Sequence, residues 1–351
     1  MQQLKILFYL LGDRSMASSR VRGFWMAEAL ERLCVECSVV YGQNRISLLH
    51  CLARMPGHDV VYFQKNCSKW HVRLMEIANA VGKKTFYDLD DAPSRINSPV
   101  TLRNARKMMT RASAVVAGSQ ALLDYSREYQ PNSFFLPTSI KLENYVPIEK
   151  VEFRGPVCLG WIGNGAHYGN DLVEILSDPL KIIGSQQRVR FIIVGACGNK
   201  QLYEAFSDIP GIETVFVDQI CWSDPLAVQN HLAEFDIGLY PVLDNEFNRH
   251  KCGLKALEYM AMQIPVIISP VGANKDIVAE GIDGYHANDT KEWVDALEKL
   301  ITDPNQRKKF GQAGRRKIKK QYSISESARK LAGIIEALNE AKSSEKKMSK
   351  N

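Results

Sequence analysis

The sequence predicts an α/β protein of two Rossmann-like domains. Three observations predict it. The chain has 351 residues, past the size at which a single hydrophobic core stops growing. Short β-branched or aromatic runs alternate with amphipathic segments, the mark of βαβ units on a parallel sheet. The alternation breaks once, over a polar, proline-punctuated stretch from Leu136-Pro137-Thr138-Ser139 to Arg154-Gly155-Pro156.

In the first half the strand runs are 5–11, 38–41, 60–63, 85–88, 114–117 and 134–136, with helical patterns at 20–33, 70–81, 102–112 and 120–129. These strands are apolar on both faces, as in a sheet covered by helices on either side. Beyond the break, strands are expected at 157–162, 190–194, 214–217, 237–240 and 266–269. Helices are expected at 171–183, 226–234, 254–262, 274–279, 292–302, 305–322 and 326–339. The chain thus divides into an N-terminal domain, 1–148, a C-terminal domain, 149–325, a last helix, 326–342, and a lysine-rich tail, 343–351, expected to fray. No internal repeat has a fixed period.

Hydrophobic residues make up 45% and charged residues 24% of the chain, ordinary for a globular protein. No apolar run approaches the roughly 20 residues of a bilayer span. The apolar stretch at the N-terminus meets Gly12-Asp13-Arg14 without a small-residue cleavage site. It reads as a buried first strand, which makes the cytoplasm the expected location. The eight cysteines are scattered, and Cys34 and Cys37 form a single CxxC. With no second pair and no histidines at ligand spacing, they read as ordinary thiols, and no metal is expected. The net charge of +6 is too diffuse to argue for nucleic acid. It suits an anionic ligand or weak attraction to anionic lipid at the inner face of a membrane. The basic run 307–309 and 315–320 reads as a solvated helix face within reach of headgroups.

The most informative stretch runs from Arg249-His250-Lys251-Cys252-Gly253-Leu254-Lys255-Ala256-Leu257-Glu258-Tyr259-Met260-Ala261 to Pro265-Val266-Ile267-Ile268-Ser269-Pro270-Val271-Gly272-Ala273-Asn274. Gly253 permits a tight backbone approach. A helix starting at Leu254 would turn free N–H groups and its positive dipole end towards an anion such as a diphosphate. Lys255 in the first turn opposes that dipole, so the local conflict points to a phosphate neighbour. Lys255 and Glu258 are three apart and line one face. The lysine suits a leaving diphosphate, and the carboxylate suits two ribose hydroxyls. Read in isolation, the same two residues are a solvated surface pair.

This block resembles the donor-binding signature of the family-four glycosyltransferases, retaining enzymes of the GT-B fold. The match is best over Glu258-Tyr259-Met260-Ala261-Met262-Gln263-Ile264-Pro265-Val266-Ile267, in a Lys-x-x-Glu-Tyr-Met-Ala form. Where the family carries a glutamate eight residues before Glu258, this chain has His250; His250, Lys251 or Glu246 would serve instead. Gly160-Trp161-Ile162-Gly163-Asn164 resembles the first strand and loop of the family's C-terminal domain, but Ala166-His167-Tyr168-Gly169 supplies no diphosphate-clamping cation. Asp236-Ile237-Gly238-Leu239-Tyr240-Pro241 resembles the strand leading into the donor loop. Val271-Gly272-Ala273-Asn274 resembles the loop after the signature strand.

The resemblance implies two domains facing across a cleft and a last helix crossing back to the N-terminal domain. It implies transfer of a sugar from a nucleotide-sugar co-substrate to an acceptor hydroxyl, with retention and without metal or other cofactor. Glycan, lipid-linked and small-molecule acceptors stay open. Lys255, His250 and Asp91 are the expected catalytic residues. Glu258, Lys251, Gly253, Leu254, Gly163, Asn164, Gly272 and Ala273 are expected at the donor. Gly12, Asp13, Arg20, Arg22 and Asp90 sit where such sheets bind ligands and are expected at the acceptor or a phosphate. A sugar-nucleotide epimerase and a non-catalytic nucleotide-sugar-binding protein are the competing readings. A dehydrogenase is disfavoured, because Gly12-Asp13-Arg14-Ser15 lacks the GxGxxG turn.

Overall fold

The computed structural model describes residues 3–92, 98–148 and 155–348, with side chains through Leu338. The chain forms two compact units: 1–141 together with 322–351, and 142–321. Part of the expected linker, 149–154, and the end of the expected tail, 349–351, lie outside the described residues.

The N-terminal unit holds strands β1 (Lys5–Leu10), β2 (Glu36–Tyr41), β3 (Val60–Gln64), β4 (Lys84–Leu89), β5 (Ala114–Ala117) and β6 (Ser133–Phe135). They form one sheet in the order β2-β1-β3-β4-β5-β6, parallel throughout. β1 and β3 are buried along nearly their whole length, as expected of strands with helices on both faces. The direction of travel reverses between β1 and β3, which opens a crevice at the carboxyl edge there.

The second unit repeats the plan with β7 (Val157–Ile162), β8 (Val189–Val194), β9 (Ile212–Val217), β10 (Ile237–Tyr240), β11 (Val266–Ile268) and β12 (Gly284–His286). Its order is β12-β11-β10-β7-β8-β9, so the reversal falls between β7 and β10. Leu159, Trp161, Phe191, Ile193, Leu239 and Trp293 anchor its core. β12 is a short edge strand with no apolar run to announce it.

Helices are punctuated as their sequences suggest. Asn44, Ser68, Ser98, Ser119, Asn164 and Asp289 each cap a helix with a side-chain oxygen, satisfying donors that a helix start leaves open. The expected helix 171–183 begins earlier, at Gly165, and runs to Gln186 with Pro179 inside it. The last helix, Ile324–Met348, packs on the helix Trp25–Glu31 of the N-terminal unit. Ala328, Leu331 and Ile335 are its buried anchors. Among the described residues no helix is long and apolar enough to cross a membrane.

Candidate functional site

At the N-terminal crevice the strand ends are tied by polar side chains. Gln64 Oε1 accepts from the Leu11 N–H (3.2 Å) and from Ser19 Oγ (3.2 Å). The Gly12 N–H donates to Ser19 Oγ (3.0 Å). Asp13 is exposed and accepts from the N–H and hydroxyl of Ser15, which hold its carboxyl below the usual range. Lys65 pairs with Asp90 at 3.4 Å and also with Asp91. Burial pulls the Lys65 ammonium down, but the two carboxylates outweigh it and its pKa rises. The Asp90 carboxyl is likewise raised from its ordinary value, by burial, against the opposing pull of Lys65.

Arg20 and Arg22 require a correction. Contact with the acceptor or a phosphate is the expectation from sequence, yet both side chains are buried. They sit in a wider π turn, Arg20–Phe24, within the first helical segment. Arg22 grips Asp88 with Nη2 at 2.6 Å and Nε at 2.8 Å, and its Nη1 donates to the Leu136 carbonyl at 3.0 Å. Tyr62 adds a hydroxyl donor to the same carboxylate at 2.8 Å. Arg22 is therefore a strut between β4 and the end of β6, not a surface phosphate clamp. Arg20 Nη1 closes the loop before its helix through the carbonyls of Arg14 (3.0 Å) and Ser15 (3.3 Å). The sequence hides this because the partner carboxylate is 66 positions away.

The Cys34 and Cys37 thiols are both free, and burial pushes Cys37 up to about 12, the opposite of a reactive thiolate.

The C-terminal crevice gathers the signature residues. Gly253 has φ +68°, a left-handed conformation that favours glycine. A side chain there would also strike Ile277. The helix Leu254–Ala261 that follows has no side-chain cap, unlike those named above. Lys255 and Glu258 are both buried, as is the whole helix from Lys255 to Ala261, so the surface-pair reading does not hold. Lys255 reaches across the end of β7: a Cβ on Gly163 would stand 2.4 Å from its Cε. Gly163 is thus the residue that lets the lysine through. Asn164 caps the helix Gly165–Gln186, accepting from the Ala166 N–H at 3.0 Å.

The ammonium of Lys255 lies 3.6 Å from the ring centre of Tyr168 and 5.1 Å from that of Tyr240. Lys251 donates to the Tyr168 hydroxyl at 2.6 Å and lies 4.4 Å from the ring centre of Phe247. Tyr168 therefore holds two cations at once, a role the sequence did not reveal. Burial lowers the pKa of Lys255; the Tyr168 hydroxyl opposes this and the Lys251 charge adds to it. Glu258 accepts from the Tyr145 hydroxyl at 2.7 Å, and Arg315 holds Tyr145 by its carbonyl at 2.7 Å. No local pattern links Tyr145 to Glu258.

The rest of the donor loop surrounds this core. His250 is half-buried just before Gly253, and its Nδ1 lies 2.7 Å from the Glu246 carbonyl oxygen. Glu246 itself is exposed. Gly272, at φ +55°, passes so close to the Arg249 carbonyl that a Cβ would sit 2.4 Å from it. Ala273 precedes the short helix Asn274–Ile277. The arrangement presents open helix N–H groups, two cations and a buried carboxylate at one switch point, a chemistry suited to a phosphorylated polyol.

Residues 156–303 match the family model for glycosyl transferases group 1. The α-1,3/1,6-mannosyltransferase alg-2 of Neurospora crassa is 24% identical over 175 residues, covering 49% of this chain; the match spans only 35% of that relative's length. Among solved structures, Anabaena HepE in complex with UDP superposes with a TM-score of 0.71 at 15% identity, covering 95% of this chain and 100% of the other. Sucrose-phosphate synthase from Thermosynechococcus elongatus gives 0.73 at 12% identity, covering 97% and 100%. At such identities the likeness shows the fold. Residues 156–303 are thus similar to the group 1 glycosyl transferases, in a chain whose fold throughout resembles that of solved glycosyltransferases.

Proposed function

We propose that the protein transfers a sugar from a nucleoside-diphosphate sugar to an acceptor hydroxyl, with retention at the anomeric carbon and without a metal. The observation that carries this is the uncapped, glycine-started helix with Lys255 and Glu258 buried one turn apart on it. The N–H groups of Leu254 and its neighbours, with Lys255 and Lys251, take the diphosphate. Lys255 stabilises the charge that grows on it as the glycosidic bond breaks. Glu258, oriented by Tyr145, takes the ribose hydroxyls. His250, Lys251 or Glu246 meets the sugar. Gly163 and Gly272 with Ala273 shape the loops around the donor. Gly12, Asp13, Asp90 and Asp91 are assigned to the acceptor side.

A thermal-shift screen against UDP-, GDP-, ADP- and dTDP-sugars tests the reading, since a ligand bound only by the folded state raises Tm. UDP comes first because HepE was solved with it. One donor class should raise Tm, and Glu258→Ala should abolish the shift. If no donor moves the wild-type Tm, or if Glu258→Ala keeps the full shift, the assignment of this crevice to the nucleotide fails.

A further inference from the structure

In the N-terminal unit the crossovers β2→β3, β3→β4 and β4→β5 all travel the same way across the sheet. Right-handed connection therefore places the helices Arg45–Arg54, Lys69–Ala80 and Pro99–Arg111 side by side on one face. The latter two are locked together: Arg111 pairs with Glu76 at 2.8 Å, and Asn79 donates to the Arg111 carbonyl at 2.8 Å.

The outer surface of this layer is unusual in two respects. The first is apolar. Ile46 and Leu49 are each 63% exposed, and Trp70 and Val100 each 53%. The core does not use them; the helix Arg45–Arg54 buries only Ser47 and Cys51 and turns its larger apolar residues outward. The second is charge. The three helices carry two, two and four lysines or arginines in chain order, against the single carboxylate Glu76. A groove of about 580 Å³ lies along the third helix, lined by Leu102, Arg103, Arg106, Lys107, Arg111 and Tyr129 among others, with no carboxylate.

Exposed aliphatics beside a tryptophan, bordered by lysine and arginine, match the boundary between acyl chains and anionic headgroups. We propose that this face docks the protein on an anionic membrane. Ile46, Leu49 and Trp70 enter the headgroup boundary, while Arg103, Arg106 and Lys107 take lipid phosphates in the groove. Charge complementarity selects this occupant over a second copy, since a symmetric dimer would set like cations against each other. The basic helix Pro304–Gln321, the sequence's own candidate, fits less well. Its large apolar residues Phe310 and Ile318 are buried, so it offers cations without a large apolar side chain to enter the boundary.

The test is co-sedimentation of the full chain with phosphatidylcholine vesicles, with or without phosphatidylglycerol, at low and high salt. Binding should require phosphatidylglycerol and weaken with salt. Ile46→Ser with Leu49→Ser should cost about tenfold in partitioning. Arg103→Gln, Arg106→Gln and Lys107→Gln together should cost roughly a hundredfold, at about fivefold per cation. Both variants alter exposed side chains, so an unchanged melting curve separates docking from folding. Absence of wild-type binding to anionic vesicles at low salt would overturn the proposal. So would full binding by both variants, or a wild-type dimer that Ile46→Ser with Leu49→Ser dissolves.

Discussion

The two sheets share a plan, and each places polar residues at its switch point, but the cations there are treated differently. In the N-terminal crevice Arg22 meets Asp88, and Lys65 meets Asp90 and Asp91. In the C-terminal crevice Lys251 and Lys255 lie against the rings of Tyr168, Tyr240 and Phe247. A ring face attracts a cation without cancelling its charge. Each cation of the first crevice is therefore answered directly by carboxylate, whereas Lys255 in the second is answered mainly at Tyr168 and less by Glu258, which leaves more positive field for a ligand. Charge placed for folding and charge placed for binding can be told apart by what answers it.

Paired substitutions probe that distinction most strongly. Arg22→Met leaves Asp88 buried without its cation and should cost about 3–5 kcal/mol of stability, read by urea unfolding. Lys255→Met removes a buried cation answered by rings, so stability should hold or rise. Its turnover should fall about 10²–10³-fold, as when a donor to a developing charge is lost. Equal destabilisation by the two variants would erase the contrast.

A second test uses protons. Burial holds the free-state pKa of Lys255 below a lysine's ordinary value. A bound diphosphate favours the ammonium and raises it again. Between those two values donor binding should take up a proton, and affinity should fall as pH climbs through the lower one. Calorimetry in two buffers of different ionisation enthalpy measures the uptake; equal heats at alkaline pH would contradict it. The same lowered value means that this lysine weakens folding where both states are charged, a cost relieved as pH rises above the folded-state pKa. The smallest effect is expected from Tyr145→Phe. It removes one hydrogen bond to Glu258, worth about 1 kcal/mol or roughly fivefold in donor Kd. An unchanged Kd would detach Tyr145 from the site.

What the sequence disclosed follows from the range of each interaction. The alternation of strands and helices is local, and eleven of the twelve strands among the described residues fall where β-branched runs placed them. Lys255 and Glu258 were legible as a pair because helical spacing alone sets them on one face. The helix Arg45–Arg54 was not anticipated, because its apolar residues point away from the core. Arg22 was misread for the same kind of reason: nothing within several turns marks Asp88 as its partner. Tyr168 and Tyr145 reach the site only through packing across the unit, one from the helix after β7 and one 113 positions from Glu258.

One connection shapes how the chain must acquire this structure. Ile140 pairs with the backbone at Tyr322 and Ile324, Ser139 touches Ser327 at 2.6 Å, and Ala328 and Leu331 fill the apolar seat on the first unit. Residues 142–321 are thus spliced into a unit whose two pieces meet only after the splice has been made. During synthesis the second sheet can close while the first still waits for its last helix. The half that leaves the ribosome first is the last to be completed.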